Sequence, residues 1–504
     1  ESQTLRDALQ NSCNPAFMQL GQRIGASTLY KYFRAFGLFD SIGSDISKAY
    51  NGTFYELDDM GPVELATTSF GQRFEISPLQ LISAISAICN DGIYVEPTIV
   101  SKVENTDTGS IDVIDTKKVR QVISKETADK VIDASGKYVM PGFIDLHVHF
   151  RDPGLTHKAD ILSESRAAAA GGVTSVMDMP NTMPQTTNLQ TWNDKMKLFS
   201  ERSVVNYSCY FGATNFNVGL FRHLDKHRVC GIKLFMGSST GNMLVDRMES
   251  LRRIFSETDM LIAAHCEDQA IISRNAQKYL KKSNMDKDVP LLQHRNIRSA
   301  QACFASSRLA VKLAKEAGAR LHLLHISTAR ELDLFESLPL SDKRITAEAC
   351  VSHLFFHCGD YRTLGGRIKC NPSIKRRPDR DALREAINSN LIDVIATDHA
   401  PHLLSEKQGG ALKATSGMPM IQFSLVSMLE LVNQGVFSIE KVVEKMCHAP
   451  AHLYGIEKRG YLREGYMADL VLVRPDSNWL LTPDCIKSLE DLSKLPFTNK
   501  TVQQ

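Results

Sequence analysis

The stretch Val139–Leu155, VMPGFIDLHVHFRDPGL, constrains this chain more than any other. It opens as an apolar run with the β-branched and aromatic bias of a strand, then delivers His147 and His149. Side chains two apart on a strand point to the same face, so both imidazoles can meet one metal ion. Arg151 shares that parity, and its guanidinium is expected on the same face as a fork for a carboxylate. Taken alone, His-x-His describes a pair of surface histidines just as well. The segments downstream favour the metal.

Beyond His149 the chain alternates strand-like and helix-like pieces, the signature of a parallel α/β fold. The strand-like pieces are GFIDLHVHF, TSVMDMPNT with Asn181, NYSCYFGATN, GIKLFMG with Lys233, LIAAHCED with His265, RLHLLHIST with His325, RITAEACVSHLFFH, and DVIATDHAPH with Asp398 and His402. Eight strands, most closing on a polar residue, describe a (β/α)8 barrel of the TIM type with its site at the C-terminal rim. The ends of barrel strands converge, which makes His147, His149, Lys233, His265, His325 and Asp398 one candidate metal-ligand set. Four imidazoles, a carboxylate and a lysine suit a borderline divalent ion such as zinc. Strand parity turns His322 away from His325. His223 and His227 lie in the charged run RHLDKHR, and His448 and His452 in CHAPAHLYGI read as helix-start and packing residues.

Lys233 is out of place beside two dications unless it is neutral, and neighbouring positive charge lowers an amine's pKa. A neutral amine can take up carbon dioxide as a carbamate, whose two oxygens could bridge ions roughly 3.5–4 Å apart. The expectation is therefore two zinc ions bridged by a carboxylated Lys233. They would acidify a shared water, and Asp398 at their edge would take its proton and return it to a leaving nitrogen as the catalytic residue.

The chain of 504 residues exceeds what one core needs, and two or three domains are expected. A net charge of +2 gives no electrostatic case for nucleic acid or an acidic membrane surface. No apolar run reaches the roughly 20 residues that span a bilayer. The 11 cysteines are odd in number and form no Cys-x-x-Cys pair, and Cys209, Cys230 and Cys350 sit inside apolar runs. That pattern points to a reducing cytoplasm. The expected partner is a small-molecule substrate, with no nucleic acid and no membrane; a homodimer stays open.

From about Asp129 to about Arg474 the sequence resembles the amidohydrolase superfamily, and within it the dihydroorotases. The words HVHFRDPG, MPNT, GIKLF, IKCNPSIK, ATDHAPH and GYLREGYMADLVLV carry the likeness. The resemblance implies interconversion of N-carbamoyl-L-aspartate and dihydroorotate, a step of pyrimidine synthesis. It implies Arg151, Asn181, Asn371 and His402 as substrate contacts, with Gly417 and Pro419 in a loop closing over the substrate ring. It also implies that GIKLF carries the carboxylated lysine, although some members of the family place an aspartate in that role. Hydantoinases, dihydropyrimidinases and allantoinases share the metal frame, so these activities stay open, as does a subunit that only scaffolds a partner. A cation at Arg151 beside Asn181 favours an acidic substrate.

Residues 1 to about 128 resemble the transpeptidase domain of penicillin-binding proteins. Ser12-Cys13-Asn14 matches a Ser-x-Asn motif there, and TTSFGQRFEISPLQL matches the run that follows. The Ser-x-x-Lys nucleophile that precedes this region in that family, and the Lys-Thr-Gly strand that follows it, have no counterpart in place. Acyl transfer is not expected, because nothing can attack. Leu5, Ala8 and Leu9 fall at helix spacing from the first residues, so an N-terminal fragment is expected. The expected helices flank Ser12–Asn14, a loop ELATTSFGQR precedes an apolar helix ending at Asn90-Asp91-Gly92, and TIVSKVENTDTGSIDVID forms a hairpin.

The junction KETADKVIDASGKYVMPG continues both texts without a Pro/Gly/Ser-rich linker, which suggests a chimeric reading frame joined at ADKV. Such a chimera would bind penicillin-like ligands weakly or not at all. The expected domains are a fragment at 1–128, a barrel with C-terminal sandwich strands at 129–475, and an altered tail at 476–504. Strands that would complete a small β-sandwich before the barrel are missing apart from KVIDASGKYV, so the sandwich is expected to be incomplete and the ADLVLV strand to keep an unpaired edge.

Overall fold

The computed structural model describes residues 13–40, 42–44, 47–50, 52–98, 102–104, 111–113, 117–124, 127, 137–237, 243–283, 288–463, 465–475, 477–480, 485, 487–488 and 501–503. Residues 1–135 and 136–504 form two compact units.

In the first unit, Asn14–Ile24 is a helix opened by Pro15, and Ala26–Ala35 is a second helix set off by Gly25. The first expected helix, before Cys13, lies outside the described residues. The helix Pro78–Cys89 forms as expected, because Ser77 and Gln80 close a capping box at its start. The stretch expected to be a loop before it instead includes a helix, Pro62–Thr68, with Leu65, Ala66 and Thr68 buried. Those three residues lie at helical spacing in a segment too short to show a full period. Lys102–Glu104 pairs antiparallel with Ile111–Val113, the two arms of the expected hairpin, whose turn lies outside the described residues.

The second unit is built on eight parallel strands: β1 (Phe143–Val148), β2 (Val173–Asp178), β3 (Asn206–Gly212), β4 (Val229–Met236), β5 (Ile262–Cys266), β6 (Leu321–Leu323), β7 (Ile345–Cys350) and β8 (Val394–Ala396). Each pairs with its neighbour in sequence order. The ring closes where the chain past β8 meets β1: His399 N–H donates to His147 O at 3.2 Å, and His149 N–H to His399 O at 2.7 Å. Asp145 secures the seam, accepting from Thr397 Oγ1 at 2.5 Å. Helices follow most strands, as a right-handed crossover between parallel strands requires. Asp160 starts the first by accepting from Ser163 N–H. Every residue of β1 is buried, as expected of a strand covered on both faces.

Three strands are shorter than expected, among them DVIATDHAPH, which is a strand only over Val394–Ala396 and leaves Asp398 beyond it. RITAEACVSHLFFH holds a strand only to Cys350, and Val351–Phe355 turns into a helix; short apolar runs are ambiguous between the two. RLHLLHIST is extended only to Leu323, so His325 lies beyond the strand. The ADLVLV strand is not unpaired along its length. Leu470–Val473 pairs antiparallel with Tyr138–Pro141, of which Tyr138 and Val139 are the only described residues of KVIDASGKYV in a strand. One face of this ribbon is exposed at Val139, Leu470 and Leu472; Tyr138, exposed at the ribbon's end, pairs with the buried Val473 on the other face. In the tail, Asn478–Leu480 pairs with Thr501–Gln503, and most of the remainder lies outside the described residues. No helix among the described residues is long and apolar enough to cross a membrane.

Candidate metal centre and active site

The sheet brings the histidines together because its register aligns their strands. Lys233 on β4 pairs with Gly212 on β3 and Ala263 on β5, and Phe235 pairs with His265. His147 and His149 leave β1 side by side, their rings 5.6 Å apart. Nε2 of each lies 3.2 Å from Asp398 Oδ1, so three donors converge on one point. A second pair stands opposite, with His265 Nδ1 2.8 Å from His325 Nε2. His147 and His325 link the pairs, their ring centroids 5.4 Å apart. Lys233 is buried at 1% exposure, its Nζ 4.6 Å from the centre of the Phe235 ring. Arg151, His325 and Asp398 all have positive φ, 66°, 40° and 50°. Backbone strain of this kind clusters where a site must aim a side chain.

Burial sets the protonation of the set. It lowers the pKa of His149 to about 3 and also lowers those of His265 and His325, so all three imidazoles are neutral. For Asp398 burial works upward, but His147, His149 and Lys233 outweigh it and hold the carboxyl below its ordinary range. Burial brings Lys233 down to about 8 against the pull of Asp398 and Glu348. Neutral imidazoles with an ionised carboxylate are the donors a zinc-like ion requires, and the residues fit a pair of such ions.

A cavity of about 710 Å3 opens over these groups. Of the residues expected to touch substrate, Arg151, Asn181, Asn371, His402 and Gly417 line it; Pro419 is buried off its wall. Arg151 reaches the cavity from a turn beyond β1, not by strand parity. Its Nε donates to Pro401 O at 3.1 Å, and its Nη2 lies 3.1 Å from His402 Nε2. Lys158 Nζ sits 3.1 Å from the other nitrogen of that ring. Burial, with Arg151 and Lys158 alongside, pushes His402 far below its ordinary pKa, so the ring is neutral. Asn371 Oδ1 is buried and has no hydrogen-bond partner among the described residues. Gly417 has φ 144°, and a Cβ there would meet Ala400 O at 2.4 Å.

Sequence reasoning missed the groups behind the histidines. Glu348 on β7 lies 2.8 Å from His147 Nδ1 and accepts from His325 N–H at 3.0 Å. Glu267 lies 3.2 Å from His265 Nε2 and pairs with Arg298. Asn181 Oδ1, expected at the substrate, sits 2.8 Å from His149 Nδ1. Such partners fix which ring nitrogen faces a metal. The parity argument also fails for His322, which contacts Thr346 at 2.8 Å and lies 3.8 Å from Glu348. Lys158, Thr415 and Ser416 line the cavity without having been singled out.

Residues 138–502 match the family model described as the amidohydrolase family. The chain belongs to the amidohydrolase family. This amidohydrolase is 35% identical over 369 residues to the dihydroorotase of Halobacterium salinarum, covering 72% of this chain and 83% of that one. With the dihydroorotase of Clostridioides difficile it shares 31% identity, covering 76% and 89%. Among solved structures it is similar to the L-hydantoinase (dihydropyrimidinase) of Arthrobacter aurescens, with a TM-score of 0.68, 29% identity, and coverage of 73% and 83%. Residues 1–137 match the model of the penicillin binding protein transpeptidase domain, so the two family matches meet within two residues of the boundary between the compact units.

Proposed function

We propose that the second unit is a metal-dependent hydrolase of cyclic amides that interconverts N-carbamoyl-L-aspartate and dihydroorotate. The observation that carries the substrate is the cationic wall. Arg151 stands beside the neutral His402 on one side of the cavity, while Lys158, at the ring's other nitrogen, is ion-paired with Glu406 at 3.0 Å; the guanidinium suits a carboxylate carried on the substrate ring. A neutral hydantoin or dihydropyrimidine ring has no group for such a wall. The dihydroorotase relatives, at up to 35% identity, support the same substrate.

His147, His149 and Asp398 would hold one ion, His265 and His325 the other, with Lys233 as its carbamate between them. When bound, such ions acidify a water and polarise an amide carbonyl. The protein's own residues do the rest. Arg151 holds the carboxylate and so orients the scissile amide. Asn371 Oδ1, without a hydrogen-bond partner among the described residues, is an acceptor, which suits a ring N–H. Asp398 is ionised at neutral pH; with Oδ1 turned to the two histidines, Oδ2 is left to take a proton and return it to the leaving nitrogen.

Asp398→Asn tests that role. Turnover of dihydroorotate is expected to fall by about a hundredfold or more, with most of the metal retained. Near-normal turnover in the variant would remove Asp398 from the chemistry.

A further inference from the structure

Behind the cavity wall lies a lysine that the reaction does not use. Lys407 is buried at 5% exposure, at the end of a single turn, Leu404–Lys407. Its Nζ donates to three backbone carbonyls: Lys369 O at 2.9 Å, Thr415 O at 3.0 Å and Gly417 O at 2.6 Å. An ammonium has three N–H donors, and each is met here by one acceptor.

The three carbonyls come from two chain segments that form one side of the cavity. Lys369 is two residues before Asn371, and Thr415, Ser416 and Gly417 are the facing wall. Gly417 N–H also donates to Lys369 O at 2.8 Å, and Ala400 N–H to Met418 O at 2.8 Å. Thr415 N–H donates to Glu406 O at 2.9 Å and Lys369 Nζ donates to Ala414 O, while the tip of the loop from His402 to Gly417 is exposed at Lys413. The Lys407 ammonium adds three bonds to these, joining the carbonyls of Thr415 and Gly417 at the end of that loop to Lys369 O of the Asn371 segment. Its positive charge also stands behind the wall that carries Arg151 and His402.

We propose that Lys407 is a positioning residue that clamps the Thr415–Gly417 loop against the Asn371 segment and thereby sets how tightly the site holds an anionic substrate. It touches neither substrate nor metal. The substrate half of this statement rests on the dihydroorotase reading; the clamp does not.

The test uses the zinc-loaded full chain, with Lys407→Met and Lys407→Gln. Amide hydrogen exchange over residues 415–418, zinc content, and KM and kcat for dihydroorotate are measured on each. Lys407→Met is expected to speed exchange in the loop and raise KM, each by about tenfold or more, with zinc content and kcat unchanged. Lys407→Gln, with two donors instead of three, should fall between Lys407→Met and the native protein. Unchanged loop exchange in Lys407→Met would overturn the clamp. Faster exchange across the barrel strands in both variants, or zinc lost in step with the rise in KM, would overturn it too, by making Lys407 a support of the whole fold. If the native protein turns over no dihydroorotate, the substrate reading fails, and loop exchange still decides the clamp.

Discussion

Glu348 Oε1 stands 2.8 Å from His147 Nδ1, with both side chains at 1% exposure or less. Burial alone would raise the pKa of this carboxyl, but His147 and His322 outweigh that effect and hold it well below the ordinary range. Glu348 is therefore an anion that accepts from Nδ1–H and leaves Nε2 of His147 free toward Asp398. Removing it should weaken metal binding without removing a ligand. Glu348→Ala is expected to lower zinc affinity by about 10- to 100-fold, and Glu348→Gln, whose amide oxygen still accepts, by less. Chelator competition measures both. Native affinity in Glu348→Ala would show that the ring needs no such partner.

Lys233 carries the second prediction. Burial brings its pKa down to about 8, which raises the share of the neutral amine that a carbamate needs. Lys233→Ala should lose most bound metal and activity, and short carboxylic acids added to the variant should partly restore both. A full metal complement in Lys233→Ala, by elemental analysis, would exclude the bridge.

The third prediction is a pH dependence. Burial, reinforced by Arg298, lowers Lys369 to about 8, while an unfolded lysine titrates near 10.4. Below pH 8 both states are protonated, and the folded protein bears the full cost of the buried ammonium. As pH rises from about 8 to about 10 the folded state sheds that proton first, and the cost is relieved. Measured against Lys369→Met, the native protein should gain about 2 kcal/mol of stability across that window. Denaturant unfolding of both proteins at several pH values reads the difference. A difference that is flat or falls with pH would mean that Lys369 is not held down by burial.

Much of the site was legible because metal ligands are constrained twice, by residue type and by position at a strand end. His147, His149, Lys233, His265, His325 and Asp398 come to one cavity on that basis. Arg151, His325 and Asp398 arrive there for a different reason than strand parity, since all three lie past their strands at positive φ. Glu348 went unseen because RITAEAC looks like an ordinary alternating strand; the signal was a carboxylate on the inner parity of an otherwise apolar run. Lys407 sits in HLLSEKQGG, which looks like solvated loop, and only the tertiary fold shows its ammonium among carbonyls. The helix at Val351–Phe355 and the pairing of Leu470–Val473 with Tyr138–Pro141 depend on packing and distant partners that local patterns do not encode.

The substrate is the centre of this account, and one comparison tests it directly. On a single zinc-loaded preparation, kcat/KM is measured for dihydroorotate, hydantoin, dihydrouracil and allantoin, together with ring closure of N-carbamoyl-L-aspartate. The Arg151 guanidinium on the cavity wall predicts turnover of dihydroorotate in both directions and a strong preference for it over the three neutral rings. Turnover of a neutral ring with none of dihydroorotate would contradict the assignment.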